Sequence, residues 1–95
     1  MNVGVKSFIK EEKEAIKRNN LKINNLKNLI SEYETVIDVV SKTSSDGTIE
    51  IYQEKISRCW DKIYGYLDNI RNHESRIATM KKVDDVIKRG VKKSA

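Results

Sequence analysis

The 95-residue sequence contains no proline, one cysteine, one histidine and only four glycines. Few breaks and few aromatic residues favour long helices over a sheet, which needs β-branched and aromatic runs separated by many turns. A single cysteine excludes an internal disulfide and a four-cysteine metal site. No apolar run reaches 18 residues, so the sequence predicts no transmembrane helix. At this length we expect one domain, residues 1–95.

Charge is abundant: 19 basic and 14 acidic residues give a net charge of +5. A basic balance is typical of proteins that bind nucleic acid or anionic membranes. Here the acidic residues are scattered among the basic ones, which favours a solvated helix surface. The first residues lack the apolar segment of a signal peptide. The expected compartment is the cytoplasm, with export without a cleaved signal as the alternative.

One polar segment, SKTSSDGT at residues 41–48, interrupts the helical pattern. Its Asp46-Gly47 dipeptide is a strong turn signal. We therefore predict a helix at 6–41, a turn at 42–47, a second helix at 48–89 and a loose tail at 90–95.

Several residues mark the expected helix ends. Ser7 is the predicted N-cap of the first helix, and Asp46 or Thr48 that of the second, with Glu50 in its first turn. Gly90 follows two basic residues, as a helix stop commonly does.

Isoleucines recur every seven residues in both halves of the chain. Apolar residues with this spacing are typical of coiled-coil packing. The isoleucines define the heptad a positions: Ile9, Ile16, Ile23, Ile30 and Ile37, then Ile49, Ile56, Ile63, Ile70 and Ile77.

If the two helices fold back on each other, facing residues have numbers that add to a constant. A constant of 89 pairs every a with a d position, for example Ile30 with Cys59 and Leu26 with Ile63. The sequence thus predicts an all-α, two-helix antiparallel coiled-coil hairpin. Three polar residues enter this seam away from the turn, where they are expected to set the register: Glu12, Asn19 and His73.

Additional apolar residues border the seam on both helices, which makes each apolar stripe wider than a two-helix coiled coil requires. A lone hairpin would leave this surface exposed, and such patches usually mark interfaces. We therefore predict a four-helix bundle, formed as a homodimer or heterodimer with another helical hairpin. The predicted partner interface comprises Phe8, Leu29, Val36, Trp60, Tyr64 and Leu67.

The sequence offers little chemistry. His73 lies near Glu12 and Glu74, but a metal site needs three or four converging ligands, so a structural role is predicted. Cys59 faces isoleucine and leucine across the seam, with no base to activate it. There is no glycine-rich phosphate loop. We predict a non-catalytic protein with no metal and no cofactor.

Nucleic-acid binding is the alternative function, as a small basic helical protein or a phage structural or regulatory protein. Basic residues concentrate in the first half of helix 1 and near the C-terminus, which a hairpin would bring together. Acidic residues at the same end, including Glu12 and Asp84, oppose this interpretation, as does the lack of interleaved aromatic residues for stacking.

Two long helices joined by a turn near mid-chain, with Trp60 shortly beyond it, resemble the small helical-hairpin proteins of type VII secretion. These are the Trp-x-Gly family and the partner proteins of Leu-x-Gly toxins. Tyr64 and Asp68 match the Tyr-x-x-x-Asp/Glu export motif of that family, although here they lie inside helix 2, and Trp60 is followed by Asp61-Lys62. The resemblance implies hairpins that pair into bundles and help to target secreted substrates. The preferred function is therefore a helical protein-interaction module: an adaptor, targeting partner or chaperone-like subunit.

Overall fold

The computed structural model describes residues 2–43 and 47–94, with side chains described as far as residue 90. They form two helices, α1 (Val3–Thr43) and α2 (Thr48–Ser94), and no strand occurs in these two ranges. The predicted all-α class and helical hairpin are confirmed. The predicted limits differ by two to five residues at three of the four helix ends.

Helix α1 begins four residues before the predicted cap. Asn2 Oδ1 accepts a hydrogen bond from the backbone amide of Gly4 at 2.9 Å, which satisfies one of the free amides of the first turn. Ser7, the predicted N-cap, instead lies within the helix. The prediction was wrong because asparagine caps a helix as well as serine does.

Gly47 forms the described part of the turn between the helices. Its φ of 87° lies in the left-handed region, which glycine adopts without steric cost. The Gly47 carbonyl accepts a hydrogen bond from Ile51 at 3.4 Å, so α2 starts directly after this glycine. Thr48 is the first helical residue rather than a cap, and Glu50 occupies the first turn as expected. Asp46, the other cap candidate, lies outside the described residues.

The predicted stop at Gly90 is wrong. Helix α2 continues to Ser94, so the expected loose tail from residue 90 is helical as far as that residue. Glycine ends a helix when it adopts a left-handed φ, and Gly90 does not. No proline follows it to prevent continuation.

The described residues divide into two compact units, each containing part of both helices. Residues 20–67 form the first, here called the turn unit. The buried side chains of the turn unit are all at predicted a or d positions: Ile23, Ile30, Cys59 and Ile63. The rings of Tyr33 and Tyr52 meet edge to face at 5.4 Å between centroids, and Lys22 lies over Tyr66 at 5.4 Å.

The terminal unit comprises the residues up to 19 and those from 68 onward. Val5, Ile9 and Ile77 form its apolar cluster, against which Ile16 and Met80 pack. The constant of 89 pairs Met80 with Ile9, which is a member of this cluster.

Contacts in both units confirm the antiparallel arrangement and reach beyond the predicted pairs. The constant of 89 pairs Tyr33 with Ile56, but the ring of Tyr33 contacts Tyr52, which lies one helical turn before Ile56 on α2. The constant pairs Glu12 with Ile77, but Glu12 contacts His73, which lies one helical turn before Ile77. Long side chains therefore join neighbouring layers of the seam as well as facing residues.

Candidate interaction surface

Three large side chains on one face of α2 remain exposed in the turn unit. Trp60, Tyr64 and Leu67 are spaced by four and three residues, which places them on a single helix face. Their exposed fractions are 38%, 59% and 40%. The rings of Trp60 and Tyr64 stack, with centroids 6.0 Å apart and planes inclined by 29°. We call these three residues the Trp60 patch.

The patch borders the seam without entering it. The seam positions on the same stretch of α2 are occupied by Cys59 and Ile63, both buried, and by Tyr66, which is half-buried. The stacked ring pair lies beside this core and offers its outer surface to solvent. Stacking stabilises the relative orientation of the two rings, so the patch presents a preformed aromatic surface.

The other predicted interface residues lie elsewhere. Leu29 and Val36 of the turn unit are half-buried, as is Phe8 of the terminal unit. Within the turn unit, heptad position g places Leu29 and Val36 on the seam edge of α1 opposite to the edge that Trp60 and Leu67, at position e, border. The structure therefore brings Trp60, Tyr64 and Leu67 together, and Leu29 and Val36 do not join them in one patch.

Some exposed apolar residues were not predicted. In the turn unit they are Leu21, Val39 and Ile51, each more than half exposed. None of them occupies a or d of the heptad, so the pattern itself could have indicated their exposure. They are scattered singly, which is normal for a protein surface.

In the terminal unit, Glu12 and His73 meet across the seam as predicted polar seam residues. Glu12 Oε1 accepts a hydrogen bond from Arg76 Nε at 2.9 Å, and Glu12 Oε2 contacts His73 Nδ1. The Glu12 side chain is 13% exposed. Hydrogen bonds from Arg76 and then from His73 lower the pKa of Glu12 below its ordinary value.

Asn19, the third predicted polar seam residue, behaves differently. Its side-chain Nδ2 donates to the carbonyl oxygen of Ala15 at 2.7 Å, within α1 itself. This hydrogen bond gives one Nδ2 proton an acceptor on α1 rather than on α2. Its predicted role in setting the register stays a prediction, whereas Arg76, which was not singled out from sequence, joins Glu12 directly.

Asp84 is the buried charge that sequence reasoning missed. It lies seven residues after Ile77 and so continues the a positions, a signal that could have placed it in the seam. Asp84 Oδ1 accepts from the Asn2 amide at 3.1 Å, and Oδ2 lies 3.1 Å from Lys88 Nζ. The hydrogen bond from Asn2, assisted by Lys88, lowers the pKa of Asp84.

The Tyr-x-x-x-Asp match lies in the interior of α2. Tyr64 stacks on Trp60, while the Asp68 carboxylate pairs with Arg71, one turn further along the helix. Both side chains are exposed, and each makes its contact with a residue of its own helix.

Other site chemistry is sparse in the described ranges. Cys59 is a buried free thiol. No group of three or more potential metal-ligating His, Cys, Asp or Glu side chains occurs among residues 2–43 and 47–94. Within the same ranges, neither helix has a segment apolar enough to cross a membrane.

Comparisons with protein-family models, with curated proteins and with solved structures found no match to this chain.

Proposed function

We propose that this protein is a non-catalytic helical interaction module that binds another helical hairpin through the Trp60 patch. The observation that supports this most directly is the exposure of Trp60, Tyr64 and Leu67 on one face of α2. Tryptophan and tyrosine are enriched at interaction hot spots, where a partner excludes water from them.

The energetic argument concerns these three side chains. Fully burying a large apolar side chain is worth roughly 1.5–3 kcal/mol relative to leaving it exposed. The three side chains are already partly buried, with 38%, 59% and 40% exposed, so a partner that covers all of them gains about 2–4 kcal/mol. A micromolar complex needs about 8 kcal/mol, so the patch supplies a quarter to a half of that free energy. A second hairpin could cover the patch by forming a four-helix bundle.

A second copy of this chain is the partner to test first. Sedimentation velocity and light scattering across micromolar concentrations should show a concentration-dependent dimer. Trp60→Ala should weaken the association at least 10-fold and leave the helical circular dichroism signal nearly unchanged. Ile51→Ala is the matched control, since Ile51 is an exposed apolar residue of the same helix outside the patch. A monomer at all concentrations would contradict homodimer formation, and equal effects of both variants would contradict the role of the patch.

A targeting role in type VII secretion is the more specific form of this proposal. Its support is the resemblance in layout together with Tyr64 and Asp68, whose side chains are both exposed on α2. In a cell with such a machine, Tyr64→Ala and Asp68→Ala should each abolish export of the chain or its bound substrate. Asp61→Ala, at another exposed carboxylate of α2, should leave export unchanged. Normal export of the Tyr64 and Asp68 variants would contradict this role.

A further inference from the structure

Four lysines form an uninterrupted basic stripe on α1 in the terminal unit. Lys6, Lys10, Lys13 and Lys17 are spaced by four, three and four residues, which places them on one helix face. All four are exposed. In the described part of the chain, none of their ammonium groups joins an ion pair. We call these residues the lysine stripe.

The fold withdraws two of the nearby carboxylates from this stripe. Glu12 and Asp84 point into the seam, with side-chain exposures of 13% and 4%, and both are engaged by Arg76 and Lys88, respectively. Glu11, at heptad position c, is exposed and lies off the stripe, which occupies e and b. Glu14, at f, is also exposed; it is four residues after Lys10 and three before Lys17, so it borders the stripe without forming an ion pair with either lysine. The acidic residues that oppose a basic surface in the sequence are therefore partly withdrawn from it in the structure.

The charge of each unit supports the same conclusion. The chain segments of the terminal unit contain 13 lysines and arginines against seven aspartates and glutamates, a net charge of +6. Those of the turn unit contain six basic and seven acidic residues, a net charge of −1. The excess positive charge of the protein thus belongs to the unit that carries the lysine stripe.

We propose that the lysine stripe binds the phosphate backbone of duplex nucleic acid without sequence preference. Lysine ammonium groups that neutralise phosphates release condensed counterions, which supplies most of the free energy of non-specific binding. The stripe is about 16 Å long at 1.5 Å per residue. A strand of duplex DNA carries one phosphate per 3.4 Å of axis, so a stripe of this length matches several consecutive phosphates.

The surroundings of the stripe favour a duplex over other polyanions. A helix that lies in a membrane surface inserts an apolar face, whereas the apolar face of α1 here is packed in the seam through Val5 and Ile9. Single-strand binding relies on aromatic side chains on which bases stack. The stripe contains none, and Phe8, the aromatic residue within its span, is half-buried at heptad position g.

Fluorescence anisotropy of labelled duplex DNAs of two unrelated sequences tests this proposal on the full chain. At 50 mM salt both duplexes should bind equally. Raising the salt to 200 mM should weaken binding roughly 100-fold if about four phosphates are contacted. Replacing all four stripe lysines by glutamine should weaken binding at 50 mM salt at least 10-fold and flatten the salt dependence.

The matched control removes four positive charges from the turn unit: Lys42→Gln, Lys55→Gln, Arg58→Gln and Lys62→Gln. This control should retain binding within about threefold, and circular dichroism should show both variants to be helical. Equal losses in the two variants would overturn the assignment to the stripe, and the absence of duplex binding at 50 mM salt would overturn the proposal altogether. Binding to vesicles rich in anionic lipid is measured in parallel. Tighter binding to these vesicles than to DNA would assign the stripe to a membrane surface instead.

Discussion

The backbone amide of Asn2 donates a hydrogen bond to Asp84 Oδ1 at 3.1 Å, which joins residues 82 positions apart in the chain. Asn2 also caps α1 through its own side chain, so this one residue begins the first helix and contacts the second. Asp84 in turn pairs with Lys88 one turn along α2. A buried carboxylate is tolerated here because a backbone donor and a cation both satisfy it.

Asp84→Ala should lower the thermal unfolding midpoint, because it removes the acceptor of the Asn2 amide and leaves Lys88 without its partner. Asp85→Ala is the matched control: it changes the neighbouring, exposed aspartate and gains the same intrinsic helix propensity. Circular dichroism melting measures both. If the Asp85 variant were as destabilised as the Asp84 variant, the contribution of the buried contact would be refuted.

Stability should fall in acid through Glu12 and Asp84. Both have a folded-state pKa below the ordinary values of 4.5 and 3.8, so in acid the unfolded chain binds more protons than the folded chain. Their stabilising effect is complete above these ordinary values and is lost as the pH falls through the lowered, folded-state values. Denaturant titrations between pH 7 and pH 3 should show this decrease. The double variant Glu12→Gln, Asp84→Asn should show a shallower decrease than Glu11→Gln, Asp85→Asn; parallel curves would contradict the assignment.

Ile63 is the most deeply buried large side chain described, with 1% exposure. Ile63→Ala should cost about 2–5 kcal/mol of unfolding free energy, since it removes buried methyl groups and leaves a cavity. Ile51→Ala changes an exposed isoleucine of the same helix and should cost less than about 0.5 kcal/mol. Urea denaturation measures both, and Ile63→Val, expected to cost about 0.5–1.5 kcal/mol, remains measurable if the alanine variant does not fold. Similar costs for Ile63→Ala and Ile51→Ala would be incompatible with this core.

Alanine should have opposite effects at two glycines. Gly47→Ala forces an L-residue into the left-handed region and should destabilise by roughly 1–2 kcal/mol. Gly65→Ala should stabilise by up to about 1 kcal/mol, because this glycine is in a helix interior and a Cβ there meets no atom within 4 Å. Thermal melts of the two variants provide the comparison, and a shift in the same direction for both would contradict this account of the turn.

The heptad spacing predicted most of the described core, although it did not assign Val5 or Asp84, which are both buried. Ile23, Ile30 and Ile63 are buried at the positions that the seven-residue repeat assigned to the seam, and Trp60 and Tyr64 are exposed beside it. The spacing of apolar residues decides which of them face the seam of a helix pair, and this spacing can be read from the sequence. The helix ends were less accurately predicted, because Ser7 and Gly90 can be either a boundary or an ordinary helical residue.

Sequence alone thus determined the helical class, the position of the turn and the residues of the apolar seam, since these follow from local propensity and periodicity. Only the tertiary structure decided which donors satisfy the buried charges. The heptad pattern placed Glu12 in the seam but did not indicate Arg76 as its donor, and Asp84 looks like a surface acid in the sequence although the Asn2 amide binds it in the structure. The ionised form of a carboxylate is stabilised by donors that fold beside it, and those donors are 64 and 82 residues away.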